Sequence, residues 1–200
     1  STAGIMKTQI DQFLRTIKLN KDKKYLFFYF GHGFNSQDPA IQDAYLLPTD
    51  CKPTFVETCI SRNDLLEKFS KINPSQLVIF LESCFSGTTN EGVLMAFNQN
   101  SSGVRIPPKK YEFTGNIVLF TASSSDEPAY AYKDMQHNIF TFELLKILQE
   151  TEANISLGEL FIRVQQNTAN TANKIRDASQ TPSVQASTTI GDKWKKWRLK

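Results

Sequence analysis

Two side chains in this sequence could act together on a carbonyl carbon: the thiol of Cys84 and the imidazole of His32. The attacking form of a cysteine is the thiolate, so a nucleophilic cysteine needs a base within reach. The chain has 2 histidines, which makes the search short. His32 lies between Gly31 and Gly33, where the backbone can turn tightly and a substrate can come close. His137 has no motif around it and reads as decoration of the helix that follows. Cys51 and Cys59, the other 2 cysteines, read as inert packing or surface thiols.

Position decides whether such a pair can react. Leu77-Val-Ile-Phe-Leu81 is continuously apolar, with Asn73-Pro-Ser75 as punctuation before it, and reads as a strand buried on both faces. Cys84 follows at its carboxyl end, with Gly87 allowing a sharp turn beyond. Tyr25-Leu-Phe-Phe-Tyr-Phe30 is a second apolar run, and His32 follows its end. In open α/β sheets, ligands sit in the crevice beyond the carboxyl ends of the strands. Parallel pairing of these two strands would bring thiol and imidazole to one rim.

Phe28-Tyr-Phe-Gly-His-Gly33, Tyr45-Leu-Leu-Pro-Thr-Asp50 and Leu81-Glu-Ser-Cys-Phe-Ser-Gly87 together resemble the caspase-like cysteine peptidases, most closely their bacterial and metacaspase branch. A histidine about 50 residues before the cysteine is itself a feature of that family. Asn138-Ile-Phe-Thr-Phe-Glu-Leu-Leu145, Ile155-Ser-Leu-Gly-Glu-Leu-Phe161 and Gln180-Thr-Pro182 are similar to its second half, so the likeness runs to about Gly191. The resemblance implies an α/β fold, a three-layer αβα sandwich around a mainly parallel sheet. It also implies a Cys84/His32 dyad, oxyanion donors at the N–H groups of Gly33 and Cys84, and a peptide or protein substrate. No metal or organic cofactor enters that chemistry.

Specificity in that family turns on the residue two before the nucleophile, here Glu82. A carboxylate there would repel an acidic side chain and pair with a basic one. The expectation is cleavage after Arg or Lys, although relatives with Glu at this position and a preference for Asn keep that alternative open. Asp126 and Ser125, in the loop after a third strand at Ile117–Ala122, are further pocket residues implied by the resemblance. Phe30 stands where many relatives carry a small residue. Glu82 could instead be a structural acid held by backbone N–H groups. Calcium-dependent relatives cluster acids after the histidine, whereas Asp38, Asp43 and Asp50 are spread apart, which argues against a calcium site.

The remaining sequence frames these residues. Helices are expected over the apolar face Ile5, Ile10, Phe13, Leu14 and Ile17, after the Ser61 cap, over about 138–149, and over about 156–175 behind a Ser156/Glu159 capping box. A last strand is expected within Thr181–Ile190. Between Gly87 and Gly115 the periodicity fades. That loop, about 88–114, invites self-cleavage after Arg105, Lys109 or Lys110, against the plainer reading of a solvated loop. Residues 1–191 form one domain, read as N-terminally incomplete because the family's first strand is not seen, with part of the substrate pocket and any sensor or effector module lying elsewhere. Lys193-Trp-Lys-Lys-Trp-Arg-Leu-Lys200 reads as a basic tail or linker.

Composition agrees with a single domain. The 200 residues are 40% hydrophobic and 22% charged, and a formal charge of +3 is too small to argue for nucleic acid. No apolar run is long enough for a membrane span, no signal peptide is visible, and an odd number of cysteines without metal-ligand spacing suggests a reducing compartment, so a cytoplasmic location is expected. The alternative of another class is a catalytically silent scaffold of the same fold. A thiol redox protein is disfavoured because no Cys-x-x-Cys occurs.

Overall fold

The computed structural model describes residues 1–36, 40–41, 43–52, 54–83, 88–89, 92–93, 110–124 and 127–200, with 88–89 and 92–93 as backbone only. In chain order the elements are α1 (Ala3–Leu19), β1 (Lys24–Phe30), β2 (Gly33–Asn35), β3 (Ala44–Leu46), β4 (Ile60–Ser61), α2 (Arg62–Ile72) and β5 (Gln76–Glu82). There follow β6 (Thr88–Thr89), β7 (Gly92–Val93), β8 (Ile117–Thr121), β9 (Ala131–Tyr132), β10 (His137–Asn138), α3 (Ile139–Glu150), α4 (Leu157–Arg176) and β11 (Ser183–Ala186).

The central sheet has the order β1-β5-β8-β11. β1, β5 and β8 are parallel, and β11 joins β8 antiparallel. β5 is buried along its whole length, as its unbroken apolar run requires, while β1 alternates between exposed and half-buried positions. Odd-numbered positions of β5, Leu77, Ile79 and Leu81, face α1 and α2 through Ile10, Ile17, Leu65, Leu66 and Phe69. Even-numbered Val78 and Phe80 face α3 and α4 through Phe140, Leu144, Ile147, Leu160 and Val164. Two helical layers on one sheet follow from that period of two.

Local chemistry sets the helix ends. Ser61 Oγ accepts the Asp64 N–H at 2.9 Å to start α2, and Asn73 ends it in a left-handed conformation. Ser156 Oγ accepts the Glu159 N–H at 3.3 Å at the start of α4. Thr2 begins α1, and the exposed Asp50 Oδ1 accepts the Ala3 N–H there at 2.6 Å.

Two expectations are corrected. The last residues do not leave the body as a tail: a 3₁₀ turn at Gly191–Lys196 buries Trp194 against Phe120 and Phe161, and Trp197 and Leu199 pack on the same core. The lysines between the tryptophans face outward and hide this apolar side from a composition reading. Cys51 and Cys59 are not separate inert thiols but a disulfide, Cα–Cα 5.1 Å, and a disulfide counts against the reducing compartment expected from the odd number of cysteines. No described helix is long and apolar enough to cross a membrane. Residues 90–91 and 94–109 of the 88–114 loop, Arg105 and Lys109 among them, lie outside the described residues; Lys110 is exposed.

Candidate active site

The site grows from the register of β1 on β5. Lys24 pairs with Gln76 and every later residue of β1 with the one 52 positions on, through Phe30 with Glu82. His32 and Cys84 are separated by the same 52 positions. The Gly31 N–H continues the ladder, donating to the Glu82 carbonyl at 3.1 Å. His32, two residues past the end of β1, is exposed at the carboxyl-end rim. Cys84, Ser125 and Asp126 lie outside the described residues.

The backbone around His32 is held by short-range bonds. Its carbonyl accepts the Leu47 N–H at 3.0 Å and the Tyr29 hydroxyl at 2.8 Å. Gly33 follows directly in β2 and pairs with Leu46 of β3, which in turn pairs with Ile60 of β4. Beneath this small sheet sits a satellite cluster of Phe34, Tyr45 and Cys59, with Leu47, Cys51 and Val56 against it. The Cys51–Cys59 disulfide ties the β3–β4 connection into that cluster. A Cβ at Gly31 would lie 2.5 Å from the Tyr29 hydroxyl oxygen, so any larger residue there would displace that hydroxyl.

Glu82 is wholly buried. Its Oε2 accepts the Thr141 N–H at 2.9 Å and the Thr141 hydroxyl at 2.8 Å, and its Oε1 accepts the Asn138 Nδ2–H at 3.3 Å. Asn138 is the N-cap of α3 but caps none of its own helix's N–H groups with its side chain. The carboxyl of Glu82 therefore caps α3 from the neighbouring strand, in the favourable field of a helix N-terminus. Burial nonetheless pushes its pKa up to about 7, with the Thr141 and Asn138 donors opposing that rise.

Other positions fill in the rim. Phe30 is 57% exposed at the end of β1. The loop after β8 is strapped at both ends: buried Gln180 donates to the Ala122 carbonyl and accepts the Tyr130 N–H, and Glu127 accepts the Thr181 N–H at 2.5 Å. The hydroxyls of Ser83 and Ser123, at the ends of β5 and β8, are buried without a hydrogen-bond partner among the described residues. Of the acids expected to matter for calcium, Asp43 is engaged by the Ala44 N–H, the Ser61 hydroxyl and the Asn63 N–H, and Asp50 by α1. Asp38 lies outside the described residues. Among the described residues no three His, Cys, Asp or Glu converge as a metal site. His137 is exposed in β10 opposite Tyr132.

A profile of the caspase domain matches residues 2–192. The chain belongs to the caspase-domain family. Members of that family are cysteine peptidases. Solved structures agree on the fold: a Geobacter sulfurreducens protein superposes with a TM-score of 0.65 at 15% identity, covering 96% of this chain and 77% of its own. Caspase-1 from Spodoptera frugiperda superposes with a TM-score of 0.58, also at 15% identity, covering 92% of this chain and 69% of its own. No curated protein sequence matches the chain.

In this caspase domain several residues around the rim escaped the sequence reading. Thr141 and Asn138 lie 59 and 56 positions from the Glu82 they bind, too far along the chain for a local pattern to couple them. Tyr29 read as one more apolar residue of a strand, although a hydroxyl in such a run is a sign that a polar partner waits nearby.

Proposed function

We propose that this caspase domain is a cysteine endopeptidase in which Cys84 Sγ attacks the scissile carbonyl and His32 serves as base and then as the acid that protonates the leaving amine. The observation that carries the reading is the β1–β5 register, whose 52-residue offset equals the separation of His32 from Cys84. Neighbouring parallel strands lie about 4.8 Å apart, so equal offsets at the strand ends favour a reacting pair. The N–H groups of Gly33 and Cys84 are the proposed oxyanion donors, each typically worth about 3 kcal/mol in the transition state. Gly33 is supported in this by its fixed place opposite Leu46. Water then releases the acyl group, and neither metal nor organic cofactor takes part.

We further propose a preference for Arg or Lys before the cut. The support is the acid of Glu82, two residues before Cys84. Because its oxygens are covered by Thr141 and Asn138, the charge acts as a field through the low-dielectric rim rather than by contact. Asp126, Ser125 and Phe30 are proposed as further pocket residues, with Phe30 supported by its exposure at the rim. Self-processing after Arg105, Lys109 or Lys110 is the corresponding proposal for the 88–114 loop; an uncleaved chain by intact mass in wild type as well as in Cys84→Ala would overturn it.

Matched fluorogenic peptides differing only in Arg, Lys, Asn or Asp at the cleavage position test the whole reading. Turnover that Cys84→Ala and His32→Ala each abolish, highest for Arg and Lys, is the expected result. Labelling of Cys84 by a peptide warhead no faster than that of free cysteine, and no slower in His32→Ala, would instead make the chain a binding scaffold.

A further inference from the structure

The bonds at the His32 backbone have an unusual source. Tyr29 lies three residues earlier on the half-buried face of β1, packed in the layer of α1 and α2. Its hydroxyl donates to the His32 carbonyl at 2.8 Å, with the Leu47 carbonyl also near at 3.4 Å. The same His32 carbonyl accepts the Leu47 N–H at 3.0 Å, so one oxygen gathers the end of β1 and the residue that follows β3. The hydroxyl reaches that point only because its ring folds under residue 31, where a Cβ would meet Tyr29 Oη at 2.5 Å and Cζ at 2.8 Å. Burial holds the phenol protonated, pushing its pKa up to about 12, so the donor persists across the working range of a thiol enzyme.

We infer that Tyr29 is a positioning residue for catalysis: its hydroxyl fixes the His32 backbone, and Gly31 is glycine to let it do so. This rests on the reading of His32 as the catalytic base. An exposed imidazole at a strand end has few side-chain contacts to orient it, and its aim is inherited from φ and ψ of its own backbone. Phe at position 29 would keep the ring and its packing but release the carbonyl from one of its two donors. Ala at position 31 would keep the hydroxyl but push it off the carbonyl.

The test compares wild type, Tyr29→Phe, Gly31→Ala, the double variant and His32→Ala in steady-state hydrolysis, together with amide exchange at Leu47. Tyr29→Phe should lower kcat roughly tenfold at unchanged KM, as expected for a small loss of aim, and speed Leu47 exchange while global stability barely moves. Gly31→Ala should do the same, and the double variant should lose less than the product of the two single losses, because both act on one hydrogen bond. Wild-type kcat in Tyr29→Phe, with His32→Ala inactive, would overturn the role of Tyr29 and leave the peptidase reading standing. Full activity in His32→Ala would overturn both, since Tyr29 is assigned its role through His32.

Discussion

The two strand ends that frame the rim are secured in opposite ways. On the β1 side, His32 is held by neutral hydrogen bonds to its own carbonyl, a three-strand sheet of short strands, a small satellite cluster and a disulfide. On the β5 side, the strand is buried throughout and its last residue, Glu82, is locked to a helix by a single titratable group with three donors on it. The first side draws its rigidity mainly from covalent and neutral contacts, with the Asp43 carboxyl bonded to Ala44 and Ser61 beside them. The second depends on a carboxyl poised near neutrality. Acid, base and reductant should therefore act on different halves of one site.

Removing the carboxyl is the heaviest blow to this contrast. Glu82→Ala leaves the Thr141 N–H and hydroxyl and the Asn138 amide without their acceptor in a dry site and opens a cavity, and we expect a loss of about 3 kcal/mol in denaturant unfolding. A loss below 0.5 kcal/mol, the scale of an ordinary surface change, would show that the β5 end is held by packing alone. Next comes the covalent link: Cys51→Ser with Cys59→Ser should cost about 2.5 kcal/mol, the loop-entropy value for so short a bridge, with faster amide exchange confined to β2, β3, β4 and their connections. Exchange that rises equally in β5 would erase the distinction between the two sides.

The pH response sharpens it further. In the folded chain Glu82 keeps its proton to about pH 7, whereas an unperturbed glutamate releases it near 4.5. The folded state thus binds more protons in that interval, and stability should fall as pH rises from about 4.5 to about 7 and then level off. Glu82→Gln should flatten that slope. Any preference for Arg over a neutral residue before the cut should grow over the same rise in pH, as the carboxyl gains its charge. Smallest of all, Asp50→Ala removes an exposed acceptor from the first turn of α1 and should cost about 0.5 to 1 kcal/mol, with activity unchanged.

How much of this could be read from the chain depended on distance. Strands ending near Phe30 and Glu82 were visible as apolar runs closed by turn residues, although only β5 is buried along its length, and the placement of His32 and Cys84 just past those two ends pointed to parallel pairing. Helix starts at Ser61 and Ser156 were legible for the same local reason. The capping of α3 by Glu82 was not, since its donors come from residues more than fifty positions away and any of several acids could have met them. Cys51 and Cys59 carry no spacing signature, so only the fold of the β3–β4 connection reveals that they meet. Trp194 was hidden by the lysines around it, whose long stems let a charged segment lie on a core. Tyr29 depended on a neighbour's missing side chain, a relation that periodicity does not encode.

The bridge between Cys51 and Cys59 also changes what a bench measurement would mean. Thiol peptidases are customarily handled with reducing agents so that the nucleophile is not lost to oxidation, yet the same agents exchange with any accessible cystine. An assay buffer strong enough to open it would then determine which form of the molecule is being studied, clasped or unclasped, and measurements at two reductant strengths would describe two different molecules.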